Sequence, residues 1–444
     1  MTCPDRSEIQ RIRSDIQAWY RAGIAAVDPY AATLNALSRH EAVVDVAGKS
    51  VTLPENGRIL GLAIGKAAAP MARALAEVLG EWLTDGFVLT KDGHLDGAPE
   101  GWRLFEAAHP VPDARGVAAT RQIVDAVAGL GKHDLVFVLV SGGGSALFES
   151  PRAPLALSDI QQVTDQLLRA GAPIQDLNAV RIELSEVKGG GLRRQIGDAT
   201  CVSLILSDVL GNDPTIIASG PTVPRTPDPA RATELIKRYG VDDRIPAAVT
   251  DVLQGVPEHL QAPTIASDVF DIVGDNAAFV DAVATAALGN GYKPRIALAV
   301  AEGEASALAD RFLDMLTNQP EDVDVVIGGG EATVTVKGTG SGGRNTEFAL
   351  AAAIRLAEEH IPWVIASLAS DGQDGAIDAA GAIVDAQTVG RGCASDLSAS
   401  AYLGNNDSGS YLQATGDLLV TGPTGTNVND VYVAVRLSNP SSAH

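Results

Sequence analysis

The 444-residue sequence predicts an α/β protein of two α/β domains, the first a parallel sheet with helices on both faces, the second a smaller mixed α/β domain. Three observations carry that expectation. Short, continuously apolar runs such as Ile59–Ile64 and 134–140 alternate with longer amphipathic stretches, as in strands buried on both faces and linked by helices. Residues 221–229 read Pro-Thr-Val-Pro-Arg-Thr-Pro-Asp-Pro, which holds neither a helix nor an inner strand, and further prolines stand at 246, 257 and 263. Beyond them the alternation of strand and helix restarts. A boundary is therefore expected near residues 225–265, with domains over 1–240 and 265–444 and a linker over 241–264.

In chain order, Ile59–Ile64 leads through Gly65-Lys66 into a helix over 67–83, followed by a strand over 86–90. A helix over 115–130 precedes the 134–140 strand, which ends at Ser141-Gly-Gly-Gly-Ser145. Helices are predicted over 158–170 and from Gln175, then a glycine break at Gly189–Gly191 and a strand over 201–206 ending at Ser207-Asp208. Glycine and polar residues collect at the carboxyl ends of these strands, the edge where open parallel sheets bind ligands. The second half offers strands over 269–273 and 296–300, each followed by a helix, then 323–327 and 333–337 as an antiparallel hairpin about Gly328-Gly-Gly-Glu331. A long helix over 345–359 and strands over 363–370, 417–421 and 430–437 close the chain.

Hydrophobic residues make up 46% of the chain and charged residues 20%, a globular balance, while aromatics at 4% call for an aliphatic core. The formal charge of −22 repels nucleic acid and anionic membranes, so neither is an expected partner. An acidic chain that binds an anion needs local cations, which directs attention to Lys and Arg inside glycine-rich turns. Cys3, Cys201 and Cys393 lack disulfide or zinc spacing, and no apolar run approaches the roughly 18 residues of a membrane span. With a polar N-terminus, these features predict a soluble cytoplasmic protein.

The most conspicuous motif is Gly338-Thr-Gly-Ser-Gly-Gly343, a G-x-G-x-x-G followed by Arg344-Asn345 at a helix start. Three readings compete: a dinucleotide seat, a phosphate seat beside the Arg344 guanidinium, and a flexible hairpin loop. The preceding Thr333-Val-Thr-Val-Lys337 alternates polar with apolar, unlike a doubly buried first strand, and the next strand-end acid, Asp371, lies 28 residues beyond Gly343. Both points disfavour the dinucleotide, which wants an acid about 20 residues on. Arg344 with free N–H groups favours phosphate.

Lys66 opens a helix where a cation opposes the dipole, unless it shares the site with an anion; the alternative is a solvated lysine. Ser141, Gly142, Gly143, Gly144 and Ser145 present N–H groups to a carboxylate or phosphate, or form a plain tight turn. Lys188-Gly-Gly-Gly191 with Arg193 and Arg194 is a second cationic break, equally readable as an interhelical turn. Asp208 with Asn212, and Asp371 with Asp374 beside the turn residue Glu331, are carboxylate and amide sets suited to magnesium, a substrate hydroxyl, or mere capping. His109 precedes Pro110 and reads as a loop residue; neither a Walker A pattern nor a protein-kinase set occurs.

Taken together, these segments resemble the class II glycerate 2-kinases, whose C-terminal half is the MOFRL domain. The stretches that carry the resemblance are Ile64-Gly-Lys-Ala67, Ser141–Leu147, Asn178-Ala-Val-Arg181, Lys188-Gly-Gly-Gly191, Ser207–Pro214, Ser219-Gly-Pro-Thr222, Gly328-Gly-Gly-Glu331, Gly342-Gly-Arg-Asn345, Asp371-Gly-Gln-Asp-Gly375 and Thr421–Asn429. They span nearly the whole chain in order. Departures are Ser370 where threonine is expected and an insertion-like 256–266.

The resemblance implies a Rossmann-like N-terminal domain, a MOFRL-type C-terminal domain and an active site in the interdomain cleft. It implies ATP and Mg²⁺ as cofactors, D-glycerate as substrate, 2-phospho-D-glycerate as product, and a monomer or homodimer. Lys66, Arg344 and Asp208 are the expected catalytic residues; Ser141, Gly142, Gly143, Gly144, Ser145, Lys188, Asn212, Asn345 and Glu331 the expected substrate and nucleotide contacts; Asp371 and Asp374 the expected metal ligands. Alternatives are an NAD(P)H-dependent hydroxypyruvate reductase, a label such sequences often carry, and a non-catalytic sugar-acid sensor.

Overall fold

The computed structural model describes residues 6–255 and 264–438, and the chain divides into two compact units, 29–273 and the remainder. In the first, six strands lie side by side in the order Arg103–Ala107, Asp85–Lys91, Ile59–Ile64, Leu135–Val140, Thr200–Leu206, Val269–Gly274. The first five pair in parallel, with Ile64 level with Val140 and Leu139 level with Leu204. Ile59–Ile64 and Leu135–Val140 are buried along their whole length, which is why they read as unbroken apolar runs. Leu60, Leu62 and Ile64 share a core with Phe87, Leu89, Val136, Val138 and Val140 and with Ile123, Val127 and Ile196 from the helices Ala114–Val127 and Gly191–Ile196.

Val269–Gly274, expected to open the second domain, instead forms the edge of this first sheet. Within the stretch expected as linker, Ala247–Gly255 is helical, and its Val249, Val252 and Leu253 pack with Leu177, Leu235 and Ile160; residues 256–263 lie outside the described ones. A three-stranded antiparallel sheet over 37–52, absent from the sequence reading, completes the unit's strands among the described residues.

The second unit holds a mixed sheet in the order Pro294–Glu304, Val325–Thr333, Asp430–Arg436, Trp363–Ala369, Gly381–Val384, Leu418–Leu419. Its first pair is parallel and the others antiparallel. The helix Arg344–Glu358 buries Phe348, Leu350 and Leu356 in the core of this sheet, where the Phe348 and Tyr432 rings meet at a tilt, 4.7 Å between centres. Helix Arg6–Ala26 also belongs here: Gly23 lets it close on Phe279, since a Cβ would come within 2.5 Å of that ring, and Trp19 meets Tyr292 edge-on at 4.9 Å.

The expected hairpin about Gly328-Gly-Gly-Glu331 is not formed. Val325–Thr333 is one strand running through all three glycines, and 334–343 is a loop. The glycines are required by close neighbours: a Cβ on Gly329 would lie 2.0 Å from Asn276 Oδ1, and one on Gly330 2.1 Å from Ala301 O.

Candidate active site

In the first unit, two turns are tied together at the carboxyl ends of Ile59–Ile64 and Leu135–Val140. The Ser141 N–H donates to Ile64 O at 2.9 Å, the Lys66 N–H to Gly142 O at 2.9 Å, and the Ala67 N–H to Ser141 Oγ at 3.0 Å. Gly65, at φ +122°, admits this approach, because a Cβ would stand 2.4 Å from Ser141 O.

Each glycine of Ser141–Ser145 makes room for a different neighbour. A Cβ on Gly142 would meet Asp208 Oδ2 at 2.2 Å; on Gly143, at φ +84°, it would meet both Lys66 Cγ and the His109 ring at 3.1 Å; on Gly144 it would meet Ala218 Cβ at 2.7 Å. Ser145 Oγ is 2.8 Å from Ser219 Oγ, and its carbonyl accepts from Arg181 Nη2 at 2.8 Å. Lys66, Asp208 and His109 thus converge on one loop. Burial first, then the charges of Lys66, Lys91 and His94, pull the His109 imidazole down to about 4, so it is neutral at physiological pH. Asn212 follows Asp208 in a turn of its own, at φ +56°, its N–H bonded to Val209 O at 3.1 Å.

Lys188 does not face a ligand. Its ammonium is buried, 2.7 Å from Glu149 Oε2 and 2.9 Å from Phe148 O, so the Lys188-Gly-Gly-Gly191 break is an interior turn. Arg193 is likewise buried, held by Asp268 at 2.7 Å.

In the second unit, Arg344 Nε and Nη2 donate to the two carboxylate oxygens of Asp430 at 2.6 and 2.7 Å, and Nη2 stands 3.5 Å from Glu331 Oε1. Glu331 in turn accepts from Asn429 Nδ2 at 3.0 Å. Burial pushes the Asp430 carboxyl up, to about 7, with the Arg344 guanidinium opposing that rise.

In the glycine loop before Arg344 the N–H groups of 337–341 and of Gly343 are satisfied inside the fold. Asn406 Oδ1 accepts from Lys337 and Gly338 at 2.7 and 2.9 Å, Asn405 from Thr339 and Gly340 at 3.2 and 3.0 Å, and Asp407 from Ser341 at 2.9 Å. The glycines fit the 405–408 segment: a Cβ on Gly338 would lie 2.2 Å from Asn405 O. The helix N-terminus is occupied too, since Asp374 accepts from the Asn345 and Thr346 N–H groups at 2.9 and 2.7 Å. Most of the N–H groups expected to be free for a phosphate here are therefore taken.

Asn345 is buried, accepting from Ser367 Oγ at 2.6 Å, and so is a structural amide rather than a nucleotide contact. Asp374 does not fit a magnesium ligand: it is fully buried, and both its oxygens accept from the helix it caps. Asp371 accepts from the Gln373 N–H at 3.0 Å in a turn. Among the described residues, no three His, Cys, Asp or Glu side chains gather as a metal site.

His109 lies in a loop, as the sequence suggests, but its place beside Gly143 is not announced there, and Asp430 is not singled out by the sequence reading either. The first follows a strand, Arg103–Ala107, that the sequence did not disclose. The second carried a readable signal, an acid opening the otherwise apolar run Asp430-Val-Tyr-Val-Ala-Val435.

Residues 15–254 match the family model described as a domain of unknown function, DUF4147, and residues 324–430 match the MOFRL family. The D-glycerate 2-kinase of Thermotoga maritima is 40% identical over 405 residues, covering 89% of this chain and 95% of that protein. A protein of Agrobacterium vitis carrying a provisional hydroxypyruvate reductase name is 38% identical, over 94% of this chain and 93% of its own. The crystal structure of a glycerate kinase from Thermotoga maritima matches with a TM-score of 0.84 at 35% identity, over 96% of this chain and 100% of that one.

Proposed function

The chain belongs to the glycerate 2-kinase family, with a DUF4147 domain followed by a MOFRL domain, and from that premise we propose that it transfers the γ-phosphoryl of ATP to the 2-hydroxyl of D-glycerate. The observation that carries the proposal is the loop Ser141–Ser145, against which a lysine and an aspartate stand at the carboxyl edge of a parallel sheet. Phosphoryl transfer asks mainly for positioning and charge neutralisation. In a chain of net charge −22 that task falls to local cations, and we assign it to Lys66 and Arg344.

In this reading a lone pair of the 2-hydroxyl oxygen attacks the γ-phosphorus while the bond to the bridging oxygen of ADP breaks. The hydroxyl proton passes to a carboxylate, for which Asp208 is our choice because Asp374 is committed to its helix. The products are 2-phospho-D-glycerate and ADP. Since Asp374 does not fit a metal ligand, no step is routed through magnesium.

Reduction of hydroxypyruvate by NAD(P)H is the alternative that the glycine pattern at 338–343 disfavours, and its 338–341 N–H groups are bonded to Asn405, Asn406 and Asp407. A side-by-side assay tests the choice. ADP release that depends on D-glycerate, without loss of NAD(P)H on hydroxypyruvate, is expected; the reverse pattern makes the chain a reductase, and ligand binding with neither makes it a sensor.

A further inference from the structure

Arg344 is held along one edge only. Asp430 takes Nε and Nη2 in a fork at 2.6 and 2.7 Å, the geometry that best fixes the plane of a guanidinium. Among the described residues Nη1 makes no hydrogen bond, and the side chain retains 23% of its exposure. Asp430 itself is fully buried at the start of the central strand Asp430–Arg436, next to Asn429, which bonds Glu331. Asn276 Nδ2 donates to the Asp430 carbonyl at 3.0 Å and to Val428 O at 2.8 Å, so the backbone carrying the carboxylate is also anchored.

Burying a carboxylate this deeply costs several kcal/mol before its partner compensates, so a pair made only for stability gains little over an apolar one. The arrangement makes sense if the pair aims the arginine. We propose that Asp430 is a positioning residue for phosphoryl transfer, clamping one edge of the Arg344 guanidinium so that Nη1 meets an oxygen of the transferring phosphoryl. Glu331, 3.5 Å from Nη2 and bonded to Asn429, is a weaker second stay on the same edge.

The charged and titratable groups facing Asp430 are Arg344 from the helix, Glu331 from the neighbouring strand, Tyr432 two residues along its own strand, and Tyr20 from the Arg6–Ala26 helix. Of these only Arg344 favours the ionised carboxylate; with burial raising it to about 7, Asp430 takes up a proton as pH falls below neutrality and the clamp loosens. Turnover then falls on the acid side of about 7 through Asp430.

The inference rests on the kinase reading, and the test separates the two. Glycerate-dependent ADP release is followed for wild type, R344A and D430N, at pH values on both sides of neutrality, with thermal melts to establish folding. D430N is expected to lose on the order of 100-fold in kcat, the cost of a misaimed group, with KM for ATP and glycerate little changed and the acid limb of the profile gone. A folded D430N with wild-type kcat, alongside an R344A that has lost activity, overturns the positioning role and leaves the kinase reading standing. No glycerate-dependent ADP from wild type removes both. If D430N does not fold, D430E decides, since its longer arm displaces the fork: a folded D430E with wild-type kcat overturns the inference, and one with kcat lowered and KM unchanged supports it.

Discussion

Asp374 seats its carboxylate on the N-terminus of the Arg344–Glu358 helix, with Oδ2 receiving both the N–H and the hydroxyl of Thr346 at 2.7 and 2.8 Å. A helix start of this kind attracts anions, and here the anion is supplied by the protein itself. The glycines of the loop leading to it make room for the 405–408 segment.

Removing that carboxylate leaves the Asn345 and Thr346 N–H groups without an acceptor in a buried place. Asp374→Ala is expected to cost about 2–4 kcal/mol, combining a lost cap with unsatisfied buried donors. Urea unfolding checks it: a midpoint equal to that of wild type would return Asp374 to the list of ligand contacts.

The buried pair of Lys188 and Glu149 supports a second prediction. Burial pushes the Lys188 ammonium down to about 8, with the Glu149 carboxylate opposing, so the lysine is held by its partner in a place hostile to charge. Lys188→Met strands Glu149 and is expected to cost about 3–5 kcal/mol, the usual result of breaking a buried pair from one side. Adding Glu149→Gln to it should recover part of that loss. If the double variant is less stable than K188M, the pair is not the source of the effect.

These two residues also show how far the sequence could be read. The strands Ile59–Ile64 and Leu135–Val140 were legible because burial on both faces leaves an unbroken apolar run, which also placed Lys66 and Asp208 just beyond strand tips. Lys188 was misread because a cation among glycines looks alike whether it faces solvent or a carboxylate 39 residues away. Gly328–Gly330 suggested a turn, although their small size serves the approach of Ala301 and Asn276, which no local pattern announces. Asp374, 28 residues from Thr346, and the Asn405–Ser408 segment act on the glycine loop in the same hidden way.

His109 makes a prediction with a definite sign. Its folded value of about 4 lies below the ordinary 6.5, so between these limits the unfolded chain takes a proton that the folded one refuses. Its contribution to stability is intact above 6.5 and is lost as pH falls toward about 4. Thermal melts of wild type and His109→Asn across that window should converge as the pH drops, relative to their difference at neutrality. A constant difference at every pH would mean that His109 titrates as an exposed imidazole.

Gly143 and Gly129 provide a matched pair for the loop itself. Both have left-handed backbones, at φ +84° and +75°, but a Cβ on Gly129 meets nothing within 4 Å, whereas on Gly143 it presses on Lys66 Cγ and the His109 ring at 3.1 Å. Replacing either by alanine imposes a similar backbone strain, about 1–2 kcal/mol. Only G143A also moves the lysine assigned to the phosphoryl, and a shift of that size in a positioned group lowers kcat/KM on the order of 10- to 100-fold. Glycerate-dependent ADP release, measured beside the melting temperature, separates the two costs: comparable destabilisation with activity lost in G143A alone is expected. Equal activities in the two variants would mean that the approach of Lys66 to Gly143 has no part in the reaction.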